Sequence, residues 1–86
     1  MTLDQYKSIY ERERKKSNSV SDAAHVIFKA LHREIAYRLE NKKSNLFQAL
    51  HYANAVWEAL ADTYGELKPD GFKNMTKLYA EKSGDL

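Results

Sequence analysis

Apolar positions recur along the chain at spacings of three and four, the repeat that lines up one face of a helix rather than the alternation of a strand. Leu3, Tyr6, Ile9 and Tyr10 share one such face. Thr2 with Gln5 three residues on forms a capping-box pattern, and Asp4 sits where the helix dipole favours negative charge, so a first helix is predicted to begin at Thr2. It ends near Lys16, because the cluster Ser17-Asn18-Ser19 competes with helical backbone bonding and supplies a new cap at Ser19 or Ser21. A second helix over about 20–40 carries the stripe Ala24, Ile27, Phe28, Leu31, Ile35 and Leu39, with Lys29, Arg33, Glu34 and Arg38 largely off it. Asn41 to Asn45 breaks it.

Asn45 and Gln48 repeat the capping logic. A third helix, about 45–64, then runs through Leu46, Phe47, Leu50, Ala53, Val56, Trp57, Leu60, Ala61 and Tyr64 to Gly65, a left-handed C-cap. The second and third helices are of similar length and joined by a few residues, which predicts an antiparallel hairpin. Pro69 suits the first turn of a shorter fourth helix with Phe72, Met75, Leu78 and Tyr79 inward, followed by a frayed tail from Ser83 to Leu86. The expectation is an all-α fold: a single domain over 1–86, a small bundle built on the hairpin with shorter N- and C-terminal helices packed on it.

Composition narrows the chemistry. With no cysteine, disulfides and thiolate metal sites are excluded. The longest apolar runs, such as Val26-Ile27-Phe28, are far too short to span a bilayer and no signal-peptide pattern opens the chain, so a cytoplasmic location without membrane contact is expected. A net charge of +2 gives little drive toward polyanions. No two of His25, His32 and His51 stand one turn apart, no Glu-x-x-His is present, and Gly65, Gly71 and Gly84 form no phosphate loop. An enzyme is not expected, nor a metal, cofactor or small-molecule substrate. Asp22 is expected to pair with His25.

The densest charge run, Glu11 to Lys16, interleaves signs, and pairs Glu11-Arg14, Glu11-Lys15 and Glu13-Lys16 are expected along a solvated helix end. An RNA-binding regulator working through Arg12, Arg14, Lys15, Lys16, Lys42 and Lys43 is the minority alternative, and a phage- or plasmid-type helical inhibitor of a host protein is a third. Tyrosine carries more signal, with six copies and one tryptophan in 86 residues. Tyr and Trp couple large apolar area to a polar tip, which suits partner recognition. Phe28, Tyr37, Phe47, Tyr52, Trp57 and Tyr64 are therefore the candidate contacts for a helical protein segment. Trp57 also has a core reading, as a knob set against Phe28, Leu31 and Ile35 of the second helix.

The chain resembles the FlaF family of small helical flagellin regulators, which are paired functionally with FlbT regulators. Leu3 and Tyr6, then Ser19, Asp22, Ala23, Ile27, Phe28 and Arg33, resemble the family's opening run; Phe47, Ala49, Leu50, Trp57, Leu60 and Ala61 resemble its Trp-bearing helix; Leu67 and Pro69 resemble the Leu-Pro that follows. The resemblance implies a chaperone-like adaptor or regulator acting on flagellin synthesis or export during flagellum assembly, with flagellin or an FlbT-type protein as partner.

Overall fold

The computed structural model describes residues 1–74, 76 and 77. It is all-helical, with α1 at Leu3–Lys16, α2 at Val20–Glu40 and α3 at Leu46–Tyr64. Residues 71–74, 76 and 77 are helical again, and no strand occurs among the described residues. The inward positions assigned to Met75, Leu78 and Tyr79, and the tail from Ser83, lie outside the described residues.

Local chemistry sets each boundary. Thr2 and Asn45 head capping boxes closed by Gln5 and Gln48, and Ser19 accepts from the Asp22 amide, which decides between the two serines offered by the sequence. Side-chain oxygens thereby satisfy amides that the first helical turn leaves unpaired. At the end of α2, the Lys43 amide donates to the Arg38 carbonyl and the Lys42 amide to that of Leu39, with Lys42 itself at φ 55°. That is a Schellman closure with lysine in the left-handed place usually given to glycine. Gly65, at φ 69°, closes α3 in the way glycine allows most cheaply. Pro69 falls before the fourth helical segment rather than inside its first turn. It is the second residue of a turn in which the Gly71 amide donates to the Lys68 carbonyl.

Contacts between helices fix an up-down-up order. The start of α1 meets the far part of α2, where the Met1 amine pairs with Glu34 at 3.2 Å, while its end meets the start of α2, where Ser17 donates to Asp22. These two helices are antiparallel. Tyr52 of α3 donates to the Met1 carbonyl and Tyr64 to Glu11, so α3 runs parallel to α1 and antiparallel to α2. Tyr6 and Tyr10, Ile27 and Leu31, and Ala49, Ala53, Trp57 and Leu60 meet in one core that Leu67 and Phe72 close from below. The face of α2 turned inward includes Ala23 rather than Leu39, which is exposed at the last turn.

Candidate protein-binding surface

Two of the six aromatic candidates belong to the interior. Trp57 keeps only 2% of its surface, and its indole Nε1 donates to the Lys68 carbonyl at 2.7 Å, which meets the need of a buried N–H for a partner. Its ring lies against Gly71 and faces Phe72 at 6.3 Å between centroids. The surface it meets is therefore supplied in part by the segment after α3, which sequence spacing assigned wholly to the second helix. Phe28 is also buried, against Phe72 at 5.4 Å and His32 at 4.5 Å. Neither ring offers an open face to a partner, because each is largely covered by the chain's own aromatic residues.

Tyr52 and Tyr64 are half-buried seam residues. Arg38 sits 3.9 Å above the Tyr52 ring, and the Tyr52 hydroxyl donates to the Met1 carbonyl at 2.8 Å. Tyr64 stacks on Tyr10 at 4.6 Å and donates to Glu11 at 2.6 Å, tying α3 to α1. Tyr37 and Phe47 are different, being 48% and 78% exposed.

Those two belong to a larger grouping. The large hydrophobic side chains exposed among the described residues are Met1, Leu3, Tyr37, Leu39, Leu46 and Phe47. All six stand at one end of the bundle: the start of α1, the last turn of α2 and the first turn of α3. The helical periodicity of Leu39 and Leu46 assigned them to the core, but α2 and α3 run past their covering neighbours at the hairpin turn, so the stripe continues beyond what it packs against. Their position beside the break at Asn41 to Asn45 was the one sequence signal that could have marked them. A shallow depression of about 490 Å³ opens beside this group, lined by Met1, Glu34, Tyr37, Arg38 and Lys43. Lys43 donates to the Tyr37 hydroxyl at 3.1 Å and covers its ring at 4.9 Å, while Glu34 holds both the Met1 amine and Arg38.

The opposite end is ionic, and its central groups serve one another. Arg14 forks onto Glu66 with two bonds of 3.0 Å and also donates to the Ser17 carbonyl, and Tyr10 donates to the same Glu66 carboxylate. These donors, Arg14 foremost, hold the Glu66 carboxyl down to about 2. Burial, reinforced by the carboxylates they face, pushes the Tyr10 and Tyr64 hydroxyls up to about 12. Of the expected pairs along the first helix, Glu13-Lys16 forms at 3.6 Å, with Arg12 joining Glu13 at 3.7 Å. Glu11-Arg14 and Glu11-Lys15 do not, since Glu11 serves Tyr64 and Arg14 serves Glu66. Asp22 likewise accepts from Ser17 instead of pairing with His25.

The six cations considered for RNA are thus divided, Lys42 and Lys43 at the hairpin end and Arg12, Arg14, Lys15 and Lys16 at the other. Among the described residues, no three His, Asp or Glu side chains gather to hold a metal, and no helix is long and apolar enough to cross a membrane. Compared with family models, curated proteins and solved structures, the chain matches none.

Proposed function

We propose that this protein is a non-enzymatic binding module that takes a helical segment of another protein on the hairpin end of its bundle. The observation that carries the reading is the gathering of Tyr37, Leu39, Leu46 and Phe47 at that end, all exposed. Single exposed apolar side chains are ordinary on a small protein. Several at one place, beside cations and a shallow depression, are what an amphipathic partner helix needs. The FlaF resemblance makes flagellin the first partner to test and an FlbT-type regulator the second. It carries a cytoplasmic location with it, since an export cargo would be met before it leaves the cell. The RNA alternative loses support from the split of its six cations and from the engagement of Arg14 with Glu66, because phosphate binding needs uncompensated charge along one surface.

Titration with flagellin by calorimetry should give saturable binding of roughly micromolar Kd, the regime of transient helix-in-groove complexes. Phe47→Asp should leave the fold unchanged, because the side chain packs against little, and should remove about 2 kcal/mol or more of binding free energy. Absence of flagellin binding would dismiss that partner, and full-strength binding by the folded Phe47→Asp variant would dismiss the hairpin end.

A further inference from the structure

The outer face of α2 carries a feature that the hairpin end does not involve. His25, Lys29 and Arg33 follow one another at one-turn spacing, all three exposed, and with Phe28 and His32 they line a groove of about 320 Å³. No carboxylate is among its lining residues. Lys29 and Arg33 form no ion pair among the described residues, a condition they share with most of the lysines; what sets them apart is that they stand one turn apart beside a groove. No Asp or Glu of α2 stands three or four residues from either cation, and its nearest acids face other partners: Asp22 accepts from Ser17, and Glu34 holds the Met1 amine and Arg38. Like charges one turn apart oppose helix formation unless something neutralises them, so α2 carries an uncompensated charge row beside an aromatic floor.

We infer that this groove binds an acidic amphipathic peptide segment. Two carboxylates one helical turn apart meet Lys29 and Arg33, and an apolar side chain between them rests on the edge of Phe28 and His32. Residues 25–33 span about 12 Å along the axis, enough for roughly two turns of a partner helix. Charge complementarity names an anion, and the floor separates a peptide from a single-stranded nucleic acid. Base stacking needs an open ring face, and Phe28 is already packed by His32 and Phe72. The inference stands apart from the hairpin-end reading, since the two surfaces share no residue.

The test is fluorescence anisotropy of the full chain with three labelled probes: a helical peptide with Glu at one-turn spacing and Leu between, the same peptide with Gln for Glu, and oligouridine. The Glu peptide should bind, and the double variant Lys29→Glu, Arg33→Glu should weaken it by about tenfold or more. Phe47→Asp should bind it as the wild type does. Circular dichroism checks that the variants fold, and Lys29→Ala, Arg33→Ala replaces the charge reversal if that one does not. Equal binding of the Gln peptide, undiminished binding by the folded double variant, tighter binding of oligouridine, or no binding of the Glu peptide would each overturn the inference.

Discussion

Gly71 has no side chain because the Trp57 ring takes the space: a Cβ there would stand 2.9 Å from both Cζ2 and Nε1 of the indole. That ring is buried and hydrogen-bonded to Lys68, so it has no free direction in which to yield. Gly71→Ala should therefore cost about 1–3 kcal/mol through overpacking, and Trp57→Ala about 3–5 kcal/mol through the cavity it leaves. Thermal melts followed by helical circular dichroism give both numbers, and a Gly71→Ala midpoint equal to wild type would show that the indole relaxes. Gly65 owes its identity to backbone instead, since nothing lies within 4 Å of a Cβ there and only its φ of +69° disfavours other residues. Caps such as Thr2–Gln5 and Asn45–Gln48 were legible in the sequence because donor and acceptor lie within one turn. The Trp57–Gly71 contact was not, because it depends on how the chain reverses after Gly65, and helical periodicity is silent about that.

Among the elements, α1 is the one most dependent on its neighbours. Fourteen residues form a marginal helix in isolation, and this one buries only Tyr6 and Tyr10 fully. What fastens its far end is the clasp of Tyr10 and Arg14 on Glu66, a residue beyond α3. Pairing within a helix could be read from spacing, yet the tertiary partner took Arg14, because a two-point fork onto a carboxylate outcompetes a flexible pair one turn away. The clasp has a pH signature. Glu66 has a folded value near 2 against an ordinary 4.5, so its contribution is fully present above about 4.5 and is lost as pH falls from there toward 2. Glu66→Gln should be less stable than wild type at neutral pH, and the two melting curves should converge in acid. Since the two proteins differ only at this side chain, the difference between them isolates Glu66. A constant gap from pH 7 to 2 would mean that the clasp does not titrate.

At the scale of the whole molecule the described residues are polarised in their apolar surface: the exposed large hydrophobic side chains stand at the hairpin end, while the far end carries the Arg14–Glu66 and Glu13–Lys16 ion pairs. The sequence yielded the helices and their hairpin but not this polarity, because Leu39 and Leu46 keep core periodicity even where no neighbour covers them. Three tyrosines join α1 to the rest: Tyr6 in the core, Tyr10 on Glu66, and Tyr64 on Glu11. Burial holds the protons of all three, Tyr10 and Tyr64 to about 12 and Tyr6 raised further still, against an ordinary 10. A value raised by folding means that the folded state retains protons the unfolded chain would give up. Stability is therefore intact below about 10 and falls as pH climbs from there through 12. Because these hydroxyls sit in the seams between helices, their ionisation should come with loss of the bundle rather than ahead of it. A base titration that follows tyrosinate absorbance alongside helical circular dichroism should show one shared step for these three side chains and the helices. Ionisation of every tyrosine while helicity stays constant would show that the seams open to hydroxide without unfolding, and that the tyrosines do not bind α1 to the rest of the fold.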